Sequence, residues 1–350
     1  MTPNTKDDLL NNVYQSDCFD FLKSYAGPKF DLVYLDPPFF LDREFKLEAK
    51  SAKATFQKGW TEENRHDLVS ELFESTHSEN LVNYLSWLTE RLDLISANMK
   101  DTGSLFLHIG TREAPYVAMV LDRVFGYGNW RSTITWQRSH PHNNMTKSLG
   151  NVSDYIFYYS KSSTYVFNRL YTAHDEKYLA NSFNNSDSKG HYALAPIIQE
   201  RSRPGHTYVF NNYTPPNGWR VKEEELFRLD SLGYIHWGTN RPYKKVYLAE
   251  TEGALLQNIW TDVHNITRTE LDRRQYPTQK PLKLLERIVK LASNEGDLVY
   301  DPFCGSGTTL VAAKALDRKF LGTDISADAI EIAKTRLDHV VDFEKGNTLF

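Results

Sequence analysis

The residues with the clearest chemical potential are an aspartate, two prolines and a phenylalanine that follow a short apolar run. Residues 30–40 read FDLVYLDPPFF, and residues 32–35 have the length and composition of a strand buried on both faces. Two consecutive prolines cannot donate hydrogen bonds to a sheet, so the strand must end at Asp36. Open α/β sheets carry their chemistry at the carboxyl ends of such strands.

The acceptors and the ring of this tetrad suit the capture of an exocyclic amino group on a planar base. Asp36 and the carbonyl oxygen of Pro37 can each accept one N–H, and Phe39 can stack on the ring. The alternative interpretation is a plain strand-ending turn, because Asp-Pro and Pro-Pro commonly break regular structure. The tetrad alone leaves both interpretations open.

A glycine turn near the other end of the chain predicts a site for a nucleoside-like ligand. Residues 297–309 read DLVYDPFCGSGTT, which is typical of a strand, a tight turn and a helix. Asp324 ends the next predicted strand, where a carboxylate can hold ribose hydroxyls. The spelling is not G-x-G-x-x-G, so a dinucleotide is disfavoured and an adenosine ligand without phosphate, S-adenosylmethionine, fits better. A strand–helix connection without a ligand is the alternative.

The elements that must position both motifs alternate between strands and helices at the two ends of the chain. Apolar periodicity predicts strands at 12–16, 32–35, 104–109, 130–137, 154–160, 297–300 and 320–323, and helices at 19–25, 80–100, 111–125, 282–292, 309–316 and 327–339. Residues 162–275 break this rhythm, which predicts an inserted or appended subdomain. Within it, residues 215–220, PPNGWR, predict a turn that presents an aromatic ring and a cation. Residues 40–60 predict a loop over the site, either a lid or a passive surface loop.

The composition is that of a globular chain with a large core. Of 350 residues, 40% are apolar and 13% aromatic, which excludes disorder. The first residues, MTPNTKDDLL, lack the basic and apolar regions of a secretory signal, and no run reaches the length of a membrane span. Cys18 and Cys304 lie far apart and predict neither a disulfide framework nor a metal site. We therefore expect a reduced, cytoplasmic compartment.

The charge distribution is uneven along the chain. The formal net charge is −4, yet residues 138–280 carry 18 Lys and Arg against 14 Asp and Glu, and seven of the eleven histidines. This mildly basic middle permits a face that binds a polyanion such as DNA. A solvated surface of mixed sign is the alternative explanation.

The two motifs in this order, joined by YPTQKP, resemble the β class of amino-group DNA methyltransferases, which includes stand-alone and restriction-linked modification enzymes. The resemblance covers nearly the whole chain, and PPNGWR and RPYKKVYLAE in the middle are similar to target-recognition regions. It implies an α/β fold, a circularly ordered Rossmann-like methyltransferase domain with a seven-stranded, mostly parallel sheet. The implied divisions are a catalytic half at 1–161, an inserted target-recognition region at 162–275 and a cofactor-binding half at 276–350.

The resemblance also implies roles for individual residues. The target base would be held by the catalytic set Asp36, Pro37, Pro38 and Phe39, where Phe replaces the more frequent Tyr. Cofactor contacts are implied for Asp17, Cys18, Asp36, Thr278, Gln279, Lys280, Pro281, Asp301, Pro302, Phe303, Cys304, Gly305, Ser306, Gly307, Thr308, Asp324 and Ile325. Among these, Asp324 matches the ribose-binding acid, Asp17 the acid near the adenine amino group, and Lys280 a partner for the methionine carboxylate. A helix start with Pro281 in its first turn is the alternative for 278–281.

The reaction implied is methyl transfer from S-adenosyl-L-methionine to adenine N6 in double-stranded DNA after base flipping. Aspartate at position 36 favours adenine, whereas family members with serine there more often act on cytosine N4, which is the alternative. A DNA-binding module that has lost catalysis is the alternative outside enzymes. The reaction requires no metal. The resemblance implies association with the nucleoid through DNA and no membrane, and it leaves a cognate restriction endonuclease and a homodimer open as partners.

Overall fold

The structure is a computed structural model that describes residues 9–38, 79–141, 149–200, 205–266 and 279–343. It divides into a first unit, formed by residues 1–169 and 257–350, and a second unit, Leu170–Leu256. The second unit is narrower than the predicted recognition region at 162–275, whose role stays a prediction. Phe39, Thr278 and the predicted loop at 40–60 lie outside the described residues.

Fourteen strands and eight α-helices are present in the described ranges. The strands are β1 (Asn12–Gln15), β2 (Phe30–Leu35), β3 (Met99–Ile109), β4 (Trp130–Gln137), β5 (Ser153–Ser160), β6 (Tyr171–Thr172), β7 (Asn185–Asp187), β8 (Gly190–Pro196), β9 (Ile235–Trp237), β10 (Pro242–Tyr247), β11 (Ala254–Leu255), β12 (Ile259–Trp260), β13 (Leu298–Asp301) and β14 (Lys319–Asp324). The helices are α1 (Cys18–Ser24), α2 (Glu79–Asn98), α3 (Ala114–Phe125), α4 (Glu176–Ser182), α5 (Glu223–Ser231), α6 (Leu282–Ala292), α7 (Thr308–Ala315) and α8 (Ala327–Phe343). None of these helices is long and apolar enough to cross a membrane.

A sheet in the order β1-β14-β13-β2-β3-β5-β4-β12 forms the centre of the first unit. Strands β1, β14, β13, β2 and β3 pair in parallel, and β12 is parallel to β4. Only β5 among these eight runs against its neighbours β3 and β4. The predicted mostly parallel sheet is confirmed, and the two-residue edge strand β12 adds an eighth strand to the seven expected.

Helices cover both faces of this sheet. Successive side chains of a strand point to opposite faces, and β14 shows the division clearly. Leu321 belongs to the core that α2 and α3 cover. Its neighbour Gly322 faces the other side, where an added Cβ would lie 2.5 Å from Leu310 of α7. Both faces of the central strands are therefore buried, which explains why β2 is apolar throughout except for Asp31.

Asp31 is tolerated inside β2 because its carboxylate is fully engaged. It accepts hydrogen bonds from Lys100 Nζ at 2.8 Å and from the backbone N–H of Leu298 at 2.9 Å. The second contact ties β2 to the start of β13, so this buried acid is structural and lies far from the carboxyl ends of the strands.

The chain order of the sheet reverses between β13 and β2. Leu32 pairs with Val299, and Val33 pairs with Tyr300. Connections lead from β13 to β14 on one side and from β2 to β3 on the other. Open α/β sheets form a ligand crevice outside the strand ends at such a switch point. The two strands that carry the sequence motifs, β2 and β13, are therefore neighbours at this point of the sheet.

The second unit has its own antiparallel sheet, β7-β8-β10-β9, a two-stranded β11-β6 sheet and its own core. Trp219 is at the centre of this core and has 0% exposure. Its ring stacks on Tyr208, and its Nε1 donates to the carbonyl of Tyr208 at 3.0 Å. The prediction that PPNGWR presents an aromatic ring is therefore wrong, because the ring is the main anchor of a small core. Arg220 beside it is exposed.

Candidate active site

Four carboxylates lie at one edge of the central sheet. Asp301 and Asp324 end β13 and β14, while Asp17 and Asp36 follow β1 and β2 closely. These four strands are parallel neighbours, so their carboxyl ends meet at the same edge. The structure thus brings together both sequence motifs, although more than 260 positions separate Asp36 from Asp301.

Asp36 is held by two basic side chains. Lys280 Nζ lies 2.5 Å from its Oδ2, and His108 Nδ1 lies 3.1 Å from its Oδ1. Burial alone would raise the pKa of the Asp36 carboxyl, but the charges and hydrogen bonds of Lys280 and His108 outweigh burial and hold that pKa below its usual range. Asp36 is consequently an ionised acceptor at neutral pH, as the capture of an amino group requires.

His108 continues this network into the sheet. Its Nε2 lies 3.2 Å from Oδ2 of Asp154, at the start of β5, and Arg138 Nε donates to Oδ1 of the same carboxylate at 3.1 Å. Burial alone would raise the pKa of the Asp154 carboxyl. The contacts with His108 and Arg138 outweigh burial, so this pKa is lowered from its usual value. Sequence reasoning missed all three residues. A histidine inside the otherwise apolar strand SLFLHI was the one available signal, since an ionisable group there needs a partner.

The rest of the DPPF tetrad is described in part. Pro37 is buried and Pro38 is exposed. The two prolines come one residue after the end of β2, so the strand ends where the sequence predicted. The stacking role expected of Phe39 stays a prediction.

The glycine turn between β13 and α7 depends on backbone conformations that favour glycine. Gly305 and Gly307 have φ values of 49° and 78°. A Cβ on Gly307 would lie 2.8 Å from the Cβ of Ala333 in α8, so this position also lacks room for a side chain. The turn brings backbone close to both the strand ends and the last helix.

Asp324 fixes one side of this turn. Its carboxylate accepts the backbone N–H of Gly305 at 2.9 Å and that of Ser326 at 2.9 Å. Burial raises the pKa of Asp324, and these backbone donors lower it in part. Ile325 follows directly, and its side chain is 40% exposed. The predicted ribose-binding acid thus sits between the glycine turn and an exposed apolar surface.

Arg336 of α8 fixes the other side of the turn. Its guanidinium donates to the carbonyl of Ser306 at 2.8 Å, to Ser306 Oγ at 3.0 Å and to Thr308 Oγ1 at 3.0 Å. The side chains of Ser306 and Thr308 are therefore engaged within the protein. Nothing in the sequence pattern marked Arg336, because its position on an amphipathic helix is that of an ordinary surface cation.

Asp301 is almost fully buried at the start of the turn. Its Oδ1 accepts the backbone N–H of Phe303 at 3.0 Å. Burial raises its pKa to about 7, and the negative charges of Asp36 and Asp324 add to that rise, while hydrogen bonds from Thr309 and Phe303 oppose it. The ring of Phe303 lies 5.6 Å from the ring of Trp87 in α2.

Asp17 is engaged in an ion pair with Arg91 of α2. Both oxygens contact the guanidinium, at 2.9 and 2.8 Å, and Oδ1 also accepts the backbone N–H of Phe19 as the N-cap of α1. Arg91 lies over the ring of Trp87, 4.2 Å from its centroid. The contact of Asp17 with an adenine amino group stays a prediction.

The two cysteines are buried, with free thiols. Burial raises the pKa of Cys18 to about 12, and the charge of Arg91 reduces that rise. Cys304 packs against β14, where an added Cβ on Gly322 would lie 3.1 Å from its Sγ. Burial and the raised pKa make Cys18 an unreactive thiol, and the cofactor contacts expected at 18 and 304 stay predictions.

The remaining predicted site residues lie in two segments, one before α6 and one in the turn after β13. Gln279 is buried, Lys280 reaches Asp36, and Pro281 is the N-cap of α6 rather than a member of its first turn. Pro302 lies in the turn, and its carbonyl accepts from Thr323 Oγ1 at 3.0 Å. No group of three metal-binding side chains occurs within the described residues.

Comparison with known proteins agrees with this geometry. The sequence pattern of the N6 and N4 DNA methylases matches residues 30–335, so the chain belongs to the DNA methylase family. It is 33% identical over 314 residues to the type II methyltransferase M.EcaI of Enterobacter cloacae, covering 89% of this chain and 65% of that protein. It is 26% identical over 328 residues to the Mod subunit of the type III restriction-modification enzyme StyLTI of Salmonella typhimurium, covering 87% of this chain and 49% of that protein. The chain thus spans about half to two thirds of these relatives.

A solved structure supports the fold. The chain is similar to PvuII DNA methyltransferase, a cytosine-N4-specific protein, with a TM-score of 0.53 and 13% identity over 95% of this chain and 90% of that one. At this identity the likeness concerns the fold alone. The predicted Rossmann-like methyltransferase fold is confirmed.

Proposed function

We propose that this chain transfers a methyl group from S-adenosyl-L-methionine to N6 of adenine in double-stranded DNA. The observation that carries the proposal is the direct pairing of β2 with β13. It puts the amino-group acceptor Asp36 and the glycine turn that follows Asp301 at one switch-point crevice, where a base and a cofactor can meet. Membership of the DNA methylase family supplies the substrate class.

The target nitrogen of a paired base is buried in the duplex, so the base must leave the stack first, at a cost of roughly a few kcal/mol. Phe39 would offset part of this cost by stacking on the flipped ring. Asp36 and the carbonyl of Pro37 would accept the two N–H groups of the amino nitrogen. That arrangement raises electron density on nitrogen and holds the proton that must leave after methylation.

The residues at the glycine turn fit S-adenosylmethionine. A carboxylate offers about four acceptor sites, and the two backbone N–H donors on Asp324, from Gly305 and Ser326, leave acceptor capacity for ribose hydroxyls. The exposed side chain of Ile325 offers an apolar surface for a purine ring. When bound, this cofactor supplies an electrophilic methyl group on a sulfonium. Asp301, Phe303 and Lys280 would contact its methionine end.

Adenine is the preferred base because position 36 is aspartate, and cytosine N4 is the competing assignment. The test uses tritiated S-adenosylmethionine and DNA from a host without methyltransferases, followed by digestion to nucleosides. We expect label in N6-methyladenine. Label only in N4-methylcytosine would reject adenine and keep the enzyme class. If wild-type protein transferred no label while a control methyltransferase labelled the same DNA, methyl transfer itself would be rejected.

One of the named relatives is the Mod subunit of a type III restriction-modification enzyme. We therefore propose a cognate restriction endonuclease as a functional partner, tested by challenging DNA methylated by this chain with the endonuclease encoded beside its gene. A homodimer and a cytoplasmic, nucleoid-associated location stay predictions from the sequence.

A further inference from the structure

His108 occupies a buried position between two carboxylates. It lies on β3 with 1% exposure, and its two ring nitrogens lie 3.1 Å from Asp36 and 3.2 Å from Asp154. The ring also meets Trp136 of β4 edge-on, with centroids 5.4 Å apart at 70°. Strands β3, β4 and β5 all contribute to this pocket, so the orientation of the imidazole is fixed by the sheet itself.

The donor inventory of histidine defines what this arrangement requires. A carboxylate only accepts hydrogen bonds, and neutral imidazole has one donor and one acceptor. Only the imidazolium form has an N–H on both nitrogens and can face two carboxylates favourably. The charges along the network then alternate, from Lys280 through Asp36, His108 and Asp154 to Arg138. No neighbouring pair in this row repels.

We propose that His108 is a positioning residue for methyl transfer: its Nδ1–H fixes Oδ1 of Asp36 and thereby reserves Oδ2 for the amino group of the target base. The inference rests on the proposed function and deepens it. Asp154 and Arg138 act on Asp36 through His108. The Asp154 carboxylate holds the proton on Nε2 of the imidazole, and Arg138 holds that carboxylate.

The two contacts of Asp36 differ in how easily they can be exchanged. His108 is part of a strand, is buried, and is tied to Asp154 on its other side. Lys280 precedes α6 on a long flexible side chain that retains 17% exposure. An incoming amino group can therefore replace the ammonium at Oδ2, whereas displacing His108 from Oδ1 would leave a buried donor without its carboxylate, which is unfavourable.

The proposal has a pH signature that depends on all charged groups around the ring. From β2 these are Asp36 and the hydroxyl of Tyr34. Burial raises the pKa of the Tyr34 hydroxyl, and the nearby carboxylates raise it further. Asp154 faces the ring from β5, and Arg138 and Lys280 stand behind the two carboxylates. Two donors are needed to face the two carboxylates, so a side chain that offers only one donor at this position should change the pH profile of methyl transfer.

The first experiment compares wild type with His108→Gln. Initial rates of tritium transfer to unmethylated DNA are measured from pH 6 to 9, with cofactor affinity measured by calorimetry. The glutamine amide can reach only one of the two carboxylates as a donor. We expect unchanged cofactor affinity, a changed pH profile and a kcat lower by about 10- to 100-fold, the range seen when a hydrogen-bond partner that orients a metal ligand is removed. A wild-type kcat and pH profile in His108→Gln would overturn the proposal.

Asp154→Asn provides a second test that keeps the ring. The asparagine amide can donate to Nε2 of a neutral imidazole, which then still donates Nδ1–H to Asp36. We expect most of the wild-type kcat and a pH profile that differs from that of wild type. An unchanged profile in Asp154→Asn overturns the proposal even if His108→Gln does not fold.

Trp136→Phe is the matched packing control, since it alters the wall of the same pocket without changing a charge. It should lower the melting temperature and leave the shape of the pH profile unchanged. If Trp136→Phe changed the pH profile in the same way as His108→Gln, the effect would be due to packing, and the proposal would be overturned. Wild-type protein that transfers no methyl group would instead contradict the proposed function, so the two failures are distinguishable.

Discussion

Lys280 Nζ lies 2.5 Å from Oδ2 of Asp36, although 244 positions separate the two residues in the chain. The contact links the segment before α6 to the end of β2, and it occupies the oxygen that the target amino group would need. Under the proposed function the ammonium must leave Asp36 when a base enters. The carboxylate of a bound methionine moiety is the partner that the family resemblance assigns to it.

Substitution of Lys280 should therefore weaken cofactor binding. We expect Lys280→Met to raise the cofactor Kd by an amount equivalent to about 1.5–3 kcal/mol, the usual contribution of a hydrogen bond to a charged group. Calorimetry with S-adenosylmethionine measures this directly. Lys283→Met, at an exposed position of α6, is the control and should leave Kd unchanged. Equal cofactor affinities in wild type and Lys280→Met would mean that Lys280 contacts Asp36 but does not contribute to cofactor binding.

Asp36 should separate turnover from cofactor binding. Asp36→Asn keeps the volume of the side chain but replaces one acceptor oxygen with a donor that opposes Lys280 and His108. We expect methyl transfer to fall below detection while cofactor affinity stays near that of wild type, because the glycine turn and Asp324 are elsewhere in the crevice. Tritium transfer and calorimetry on one protein preparation measure both. A folded Asp36→Asn protein that no longer binds cofactor would contradict this separation of turnover from cofactor binding.

Arg336 should affect the cofactor without touching it. Its three hydrogen bonds to Ser306 and Thr308 hold the glycine turn from the side of α8. Arg336→Met should lower the free energy of unfolding by about 2 kcal/mol and weaken cofactor affinity, with kcat at saturating cofactor close to wild type. Lys334→Met, an exposed position of the same helix, is the matched control. A loss of kcat with unchanged affinity would disprove this role.

Local patterns in the sequence predicted the strand ends and the turns of this site. The run before Asp36 needed a buried strand, the two prolines required its end, and Gly305 and Gly307 allowed the turn after β13. These features depend on residues adjacent in the chain, so pattern and structure agree within a residue or two. The pairing of the two motif strands, β2 with β13, joins distant parts of the chain, and no local pattern predicts it.

The partners of the site residues could not be predicted in the same way. His108 meets Asp154 only because β3 pairs antiparallel with β5, and the two residues are 46 positions apart. Arg336 reaches the glycine turn because α8 packs beside α7. Trp219 looked like a surface aromatic because the small core that buries it is assembled from short segments without periodicity. Long-range packing decides each of these contacts.

Asp301 should make stability depend on pH in a defined direction. Burial raises its pKa to about 7 in the folded protein, whereas an unfolded chain titrates near 3.9. The folded state therefore keeps a proton that the unfolded state releases, and the resulting stability is present below about pH 4 and lost as the pH rises through about 7. Asp301→Asn stays neutral and retains an acceptor for the N–H of Phe303.

Urea unfolding of wild type and Asp301→Asn at pH 4.5, 6 and 7.5 measures this effect. The variant should gain stability relative to wild type as the pH rises, by on the order of 2–4 kcal/mol across the window. Asp338→Asn changes an exposed carboxylate and should show a small difference that is constant with pH. A constant difference for Asp301→Asn as well would mean that Asp301 is not the buried acid responsible.

Exchange of the second unit should change which DNA sequence is methylated. The residues proposed for catalysis and cofactor binding belong to the first unit, whereas Leu170–Leu256 has a core of its own and can be replaced as a block. Arg220 and Lys244 are candidates for phosphate contacts there, while Lys245 is engaged with Asp187 at 2.7 Å. Phosphate contacts release counterions, so DNA binding should also weaken with salt.

The chimera takes residues 170–256 from a family member with a different recognition site, and methylated positions are mapped by sequencing that detects modified bases. We expect the methylated sequence to follow the donor of the exchanged unit. The reverse exchange, in which the donor receives residues 170–256 of this chain, is the control for a general loss of specificity and should acquire the original site. An active chimera that still methylates the original sequence would assign recognition to the first unit, with residues 40–60 as the next segment to exchange.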